Sequence, residues 1–169
     1  KDFLRVIHAG IEVANACNAI KRNLKLLNNQ LVVGIDEQEK RYDIDEFNNI
    51  RVVGMGKAGY EMARAVEDEF NGFITEGFVV VKYGHTGKQQ LKTIHIHEAG
   101  HPEPDEAGLE GAQHIMNMLN KSEERDLVIA LVSGGGSALC PLPEKGVSLE
   151  DKMLVTRELL ASGADIHEM

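Results

Sequence analysis

The sequence contains no tryptophan and only two cysteines, Cys17 and Cys140, which lie far apart along the chain. Neither cysteine belongs to a C-x-x-C pattern, so neither a disulfide framework nor a zinc ribbon is expected. A chain without disulfides fits a reducing compartment, and we therefore expect a cytoplasmic protein.

Long apolar runs and positive charge are also scarce. No stretch approaches the roughly 20 apolar residues that a membrane-spanning helix needs, and no charged and then apolar leader opens the chain. The 18 Lys and Arg residues stand against 27 Asp and Glu residues, for a formal net charge of −9. A large surface that follows nucleic-acid phosphates is therefore not expected. These deficits predict no membrane and no nucleic-acid partner, and an anionic substrate would need local positive charge.

The remaining composition is that of a folded soluble protein. Hydrophobic residues make up 43% and charged residues 27% of the 169 residues. This length suits one well-buried domain, or one domain and the start of another. Because the sequence begins at Lys1 and stops at Met169 within a segment that is expected to be ordered, we expect both ends to be cut.

The spacing of apolar residues predicts an α/β fold. Apolar side chains three and four residues apart over residues 2–28 predict one long amphipathic helix with one face packed on the domain. Short β segments at 31–34 and 41–44 predict a hairpin. Strands then alternate with helices: strands over 50–55, 77–83, 92–98 and 126–132, and helices over 57–70, 104–120 and 149–162, the last capped by Ser148 and stopped by Gly163. This alternation predicts a Rossmann-like parallel sheet with helices on both faces.

The first glycine-rich stretch is VVGMGKAGYEMARA, residues 52–65, in which Gly54, Gly56 and Gly59 have the G-x-G-x-x-G spacing of dinucleotide-binding turns. An NAD site also needs an acidic residue at the end of the next strand, where this sequence has Lys82 and Tyr83. The missing acid argues against NAD. The turn is instead expected to bring backbone N–H groups and the positive end of a helix toward another anion.

Lys57 lies in the middle of this stretch, in the first turn of the predicted helix. The helix dipole disfavours a cation there unless a negative group offsets it. We therefore predict that Lys57 contacts an anion, the alternative being a side chain that simply extends into solvent.

A second glycine-rich loop follows the predicted strand 126–132. It predicts a cradle of backbone N–H groups with two hydroxyl donors, formed by Ser133, Gly134, Gly135, Gly136 and Ser137. The loop is neither a Walker loop, since no lysine follows the glycines, nor a hydrolase elbow, since the required G-x-S-x-G is absent. A flexible turn is the alternative interpretation.

The third loop, EAGHPEPD at 98–105, also follows a predicted parallel strand, so the three loops are expected to meet at the carboxyl edge of the sheet, where ligands bind. His101 is a candidate for substrate contact or for ordering the turn. Asp105 could hold a metal or act as a base, but helix capping is the favoured role. His95 and His97 share one strand face, but no further ligand is evident, so a structural role is preferred over a metal site.

Four motifs in order, VGMGKA, EAGHPEPDEAG, VSGGGSAL and LASGADIHE, resemble those of the glycerate 2-kinase family, which is also labelled hydroxypyruvate reductase-like. The resemblance covers most of the chain from about Arg51 to Met169. It implies a two-domain enzyme that transfers the γ-phosphoryl group of ATP to the 2-hydroxyl of D-glycerate, with Mg²⁺ or another divalent cation, in a cleft between the domains.

The resemblance also implies site residues. Lys57 corresponds to the family's active-site lysine. The loop Ser133–Ser137 resembles part of the family's phosphate- or substrate-binding wall, and Gly100, His101 and Asp105 match a family motif. With Gly54 and Gly56 of the anion-facing turn, this loop and His101 are the expected substrate- or phosphate-binding residues, and Asp105 could serve a metal or a base. The resemblance does not indicate which residues bind the metal or which domain binds ATP.

The sequence stops where the family continues into a second domain. We therefore expect residues 1–169 to be an N-terminal α/β domain that is inactive alone, with ATP and D-glycerate as small-molecule partners of the whole enzyme. The alternatives are an NAD(P)H-dependent hydroxypyruvate reductase and a non-catalytic anion-binding domain.

Overall fold

The computed structural model describes residues 2–163 and residue 165. Its elements, in chain order, are helices α1 (Asp2–Ala14) and α2 (Ala16–Asn23), strands β1 (Leu24–Leu27), β2 (Gln30–Val33), β3 (Lys40–Asp43) and β4 (Asn49–Met55), helix α3 (Gly59–Glu69), strands β5 (Glu76–Lys82) and β6 (Ile94–Ala99), helix α4 (Glu106–Leu119), strand β7 (Asp126–Val132), and helices α5 (Gly136–Leu139) and α6 (Leu149–Ser162).

Four parallel strands form the central sheet, in the order β6-β5-β4-β7, and β1-β2-β3 form a separate antiparallel sheet. The two inner strands are buried along runs of five residues, 50–54 in β4 and 77–81 in β5. Such continuous burial is expected of parallel strands that are covered on both faces. The predicted α/β class is confirmed.

Helices cover the two faces of the sheet. On one face, Val52 and Val79 pack in a buried cluster with Val66 of α3. On the other, Val80 packs in a second cluster with Ile115 of α4. The prediction of helices on both faces is therefore confirmed.

The single long helix predicted over residues 2–28 is wrong. Asn15 ends α1 and caps α2, because its side-chain oxygen accepts the N–H of Asn18 at 3.0 Å. The chain then becomes extended at Leu24, which pairs with Val33. No residue of α1 is buried, so the expected packing of this segment begins only at α2, where Cys17 is buried, and continues at Leu24 of β1.

The other boundaries agree closely with the predicted ones. Strand β7 has the predicted bounds. Helix α6 begins with a capping box between Ser148 and Asp151 and ends at Gly163, which has φ +75°. The short helix α5 was not predicted. No helix within the described residues is long and apolar enough to cross a bilayer.

A charged network joins the starts of three strands at the amino edge of the sheet. The buried Arg51 guanidinium of β4 bonds to Glu76 of β5 at 2.7 Å and to Asp126 of β7. Asp126 also accepts hydrogen bonds from Asn49 and from the N–H of Glu123. The loops that follow β4, β6 and β7 lie at the opposite, carboxyl edge of the sheet.

Candidate functional site

The glycine fingerprint packs β4 and α3 tightly against their neighbours. A Cβ on Gly54 would lie 2.8 Å from the carbonyl oxygen of Leu131, and one on Gly59 would lie 2.8 Å from a methyl carbon of Val79. Gly56 has φ +127° and lies against Ser133, so a side chain would be both strained and obstructed there. Each of the three glycines is thus required by the contacts of the fold itself.

The backbone N–H groups of this turn are already bonded within the protein. Gly56 donates to the carbonyl oxygen of Val80 at 3.0 Å, and Lys57 donates to that of Gly134 at 3.0 Å. Ala58 donates to the hydroxyl oxygen of Ser133 at 3.1 Å. The prediction that this turn presents free N–H groups to an anion is therefore wrong. Instead, the bonds from Lys57 and Ala58 join the first glycine loop to the second.

Lys57 lies in the loop before α3, which begins at Gly59, so the prediction that Lys57 is in the first helical turn is wrong by two residues. Its side chain is exposed and has no ion-pair partner within the described part of the chain. The Cε atom lies 3.3 Å from the point that a Cβ of Gly135 would occupy. Lys57 therefore extends across the second glycine loop.

The second glycine loop has unbonded backbone donors. Among the described residues, no acceptor is found for the N–H groups of Gly134, Gly135, Gly136 and Ser137. Gly135 has φ +96°, the left-handed region that favours glycine. Successive N–H groups in such a turn form an anion-binding concavity. The geometry thus suits the cradle that the sequence predicts for residues 134–137, while the oxygen of Ser133 faces Ala58.

His101 approaches the same loop from the third one. Its Cδ2 atom lies 2.8 Å from the point that a Cβ of Gly135 would occupy, the same point that Lys57 Cε approaches to 3.3 Å. Burial, followed by the positive charges of Lys57 and Lys82, lowers the pKa of His101 below its usual value. A neutral imidazole and the side chain of Lys57 therefore both lie beside Gly135, in the loop that carries the unbonded N–H groups.

Asp105 caps helix α4. Its carboxylate accepts the N–H of Gly108 at 2.9 Å and the hydroxyl of Tyr83 at 2.8 Å. Burial opposes ionisation, but the bonds from Gly100, Gly108 and Tyr83 hold the pKa of Asp105 below its ordinary value. The favoured capping role is confirmed, and the alternative role as a metal ligand or base stays a prediction.

Three further residues at this edge were missed by sequence reasoning. His85 Nδ1 donates to the carbonyl oxygen of Lys57 at 3.2 Å. The carboxylate of Glu98 accepts the N–H of Gly84, and Lys82 is close enough to His101 to affect its pKa. The one available signal was position, because Lys82 lies at the end of a predicted strand, and His85 comes just after it, on the ligand-binding side of the sheet.

The pair His95 and His97 forms aromatic contacts. Both rings lie near Phe78, at centroid distances of 5.1 and 5.4 Å, and His114 stacks on the same ring at 4.1 Å. His97 Nε2 also donates to the carbonyl oxygen of Ala107 at 2.7 Å. These contacts agree with the structural role that was preferred for the two histidines.

The described residues include no group of three or more His, Cys, Asp or Glu side chains that could hold a metal ion. Of the final motif, LASGADIHE, the positions 164 and 166–168 lie outside the described residues.

The chain matches the family described as "Domain of unknown function (DUF4147)" over residues 2–169. It is 43% identical over 166 residues to the Glycerate 2-kinase of Pyrococcus horikoshii, covering 98% of this chain and 36% of that protein. It is also 44% identical over 118 residues to a Putative hydroxypyruvate reductase of Agrobacterium vitis, covering 70% of this chain and 30% of that protein.

The fold is likewise shared with a solved structure. The crystal structure of a glycerate kinase from Thermotoga maritima matches with a TM-score of 0.74 and 32% identity, covering 96% of this chain and 35% of that one. The chain thus spans about a third of the length of the relatives it matches. Because the family match extends over nearly the whole sequence, the chain belongs to the DUF4147 family and corresponds to the N-terminal portion of larger proteins related to glycerate 2-kinases.

Proposed function

We propose that this chain forms part of an ATP-dependent glycerate 2-kinase, which transfers the γ-phosphoryl group of ATP to the 2-hydroxyl of D-glycerate. Its relation to glycerate kinases supports the reaction. The observation that carries the proposal is the approach of Lys57 and His101 to Gly135, in a loop whose N–H groups at residues 134–137 are unbonded. Phosphoryl transfer requires positioning and neutralisation of negative charge, and these groups are suited to both.

Each group has a distinct part in the proposal. The ammonium group of Lys57 contacts the anionic substrate or the phosphoryl oxygens. The N–H groups of residues 134–137 and the hydroxyl of Ser137 donate to the same anion. His101 is uncharged near neutral pH and orients a substrate oxygen through a hydrogen bond. Gly54 and Gly56 contribute indirectly, because close packing at these positions sets the course of the loop that carries Lys57.

The proposal assigns no metal ligand to this chain. The described residues offer no cluster for Mg²⁺ or another divalent cation, and the carboxylate of Asp105 is occupied by three hydrogen bonds. Because the chain spans about a third of its relatives' length, we expect residues 1–169 alone to be inactive.

A hydroxypyruvate reductase is the second candidate, since a relative bears that name. Two observations weigh against a dinucleotide at the glycine fingerprint. The N–H groups of residues 56–58 are bonded within the protein, and β5 ends at Lys82 rather than at an acid that could bind the ribose. A non-catalytic anion-binding domain is the third candidate.

A coupled assay separates these candidates. The protein as its gene encodes it and the 169-residue chain are each given D-glycerate and ATP–Mg²⁺, and the phosphorylated position is identified. We expect 2-phosphoglycerate from the gene-encoded protein, with loss of turnover in Lys57→Met. A matched control, Lys121→Met, removes an exposed lysine just after α4, which lies outside the three loops, and is expected to leave turnover unchanged. Oxidation of NADH with hydroxypyruvate, without phosphoryl transfer, would establish the reductase instead.

A further inference from the structure

Glu98, the penultimate residue of β6, holds the loop that follows β5. Its Oε1 atom accepts hydrogen bonds from the hydroxyl of Thr86 at 2.7 Å and from the backbone N–H of Gly84 at 2.8 Å. These two bonds lower the pKa of Glu98 below its ordinary value, so the group is a carboxylate near neutral pH. The residues on both sides of His85 are therefore tied to the same oxygen atom.

His85 transmits this restraint to the loop after β4. The imidazole Nδ1 donates to the carbonyl oxygen of Lys57 at 3.2 Å. On its other side, the N–H of Lys57 donates to the carbonyl oxygen of Gly134 at 3.0 Å. The backbone of Lys57 is thus held from two directions, while its side chain has no ion-pair partner in the described part of the protein.

We propose that Glu98 and His85 are positioning residues, which fix the backbone of Lys57 so that its side chain stays beside Gly135, in the loop with the unbonded N–H groups of residues 134–137. This inference rests on the proposed function, because it takes Lys57 to contact the anionic substrate. Neither positioning residue touches the substrate. Their effect is geometric, and a misplacement of about 1 Å in a catalytic group can lower a rate by about 100-fold.

Hydrogen bonding and charge make opposite predictions for Glu98. Glutamine keeps a side-chain oxygen that accepts the same two bonds but has no negative charge. If position matters, Glu98→Gln resembles the wild type and Glu98→Ala does not. If charge matters, the two variants behave alike. Asparagine is the corresponding replacement for His85, because its amide nitrogen can donate to the carbonyl oxygen of Lys57.

Glu67 provides a matched structural control. Its carboxylate accepts the backbone N–H groups of Lys92, Thr93 and Ile94 at 2.7–3.0 Å, so it too holds a loop through a carboxylate. Glu67 and Glu98 thus hold opposite ends of the same connection between β5 and β6: Glu98 holds the end that carries His85, and Glu67 holds the end that enters β6. We expect Glu67→Ala to lower the urea midpoint of unfolding without changing kcat/KM.

The experiment measures kcat/KM with D-glycerate and ATP–Mg²⁺, together with urea midpoints, for the protein as its gene encodes it. We expect Glu98→Ala to lose between about 10- and 100-fold in kcat/KM, and Glu98→Gln and His85→Asn to retain most of it. The double variant Glu98→Ala/Lys57→Met should be no slower than Lys57→Met alone, since Glu98 acts through Lys57.

Each contrary outcome has a separate meaning. Wild-type kcat/KM in Glu98→Ala, with activity lost in Lys57→Met, overturns the positioning role and leaves the proposed function intact. An equal loss in Glu98→Gln and Glu98→Ala also overturns it, in favour of charge. Wild-type activity in Lys57→Met removes the role of Lys57 on which both proposals depend.

Discussion

Replacing Gly135 by alanine tests whether the second glycine loop must let Lys57 and His101 approach its backbone. Gly135 has φ +96°, and an added Cβ would lie 2.8 Å from His101 Cδ2 and 3.3 Å from Lys57 Cε. The left-handed backbone alone costs an L-residue about 1–2 kcal/mol. The methyl group would also push both side chains away from the loop. We therefore expect Gly135→Ala to lower both the free energy of unfolding and kcat/KM, the latter by about tenfold or more.

Two other glycines separate backbone strain from contact with the site. Gly146 has φ +93° with no atom within 4 Å of an added Cβ, and Gly134 has neither a positive φ nor a neighbour within that distance. Gly146→Ala should therefore lose stability but keep kcat/KM. Gly134→Ala should be as stable as the wild type, or more stable by up to about 1 kcal/mol, because alanine restricts the unfolded chain.

The assay pairs urea unfolding with steady-state kinetics for the three variants. The reasoning is refuted if Gly135→Ala keeps wild-type kcat/KM while it loses as much stability as Gly146→Ala. In that case, the approach of Lys57 and His101 to the loop has no part in turnover. Unchanged stability in both Gly135→Ala and Gly146→Ala would instead contradict the backbone conformations described here.

Three further predictions concern capping and titration. Asp105→Ala should lower the free energy of unfolding by about 1 kcal/mol through loss of the α4 cap, and Asp105→Ser should recover most of it, as measured by urea unfolding. The pKa of the His101 imidazole, measured by NMR, should lie below about 6.5, the ordinary pKa of histidine. In Lys57→Met this pKa should rise, because a neighbouring positive charge is removed. Hydrogen bonds from Glu123, Asn49 and Arg51 lower the pKa of Asp126 in the folded state. The stability that these bonds contribute is therefore full above the unfolded-state pKa of about 3.9 and is lost as the pH falls through the folded-state pKa. Asp126→Asn should lessen this acid dependence, as measured by the urea midpoint of unfolding.

The opposite results are equally specific. A stable Asp105→Ser variant without turnover would support the metal or base role over the cap alone. An unchanged His101 titration in Lys57→Met would place the ammonium group farther from the imidazole than the structure does. Equal acid dependence in the wild type and Asp126→Asn would remove Asp126 as its source.

Elements with strong local signals could be predicted from the sequence. Strand β7 is an apolar run between Asp126 and Ser133, and the signals for α6, a capping box and a terminal glycine, lie in the residues at its own ends. The helix break at Asn15 and the strand that begins at Leu24 could not be predicted from such local signals. Leu24 fits the helical spacing of apolar residues, and its pairing with Val33 depends on tertiary structure.

At the site, the sequence predicted which loops meet but not how they bond to one another. The bond from Ala58 to Ser133 joins residues 75 positions apart, and no spacing rule indicates it. Such bonds convert the expected donors of the first glycine loop into structural contacts. His85 was missed for the same reason, because its importance lies in one contact with the carbonyl oxygen of Lys57.

The bonds from Lys57 and Ala58 to the second glycine loop have a consequence for local opening. A loop joined to its neighbour by two N–H bonds cannot fluctuate outward without breaking both, so the two loops form one cooperative unit. In native-state hydrogen exchange, the amides of Lys57 and Ala58 should therefore exchange with a shared opening free energy. The unbonded amides of residues 134–137 should exchange far faster, and under the proposed function an added substrate anion should slow them.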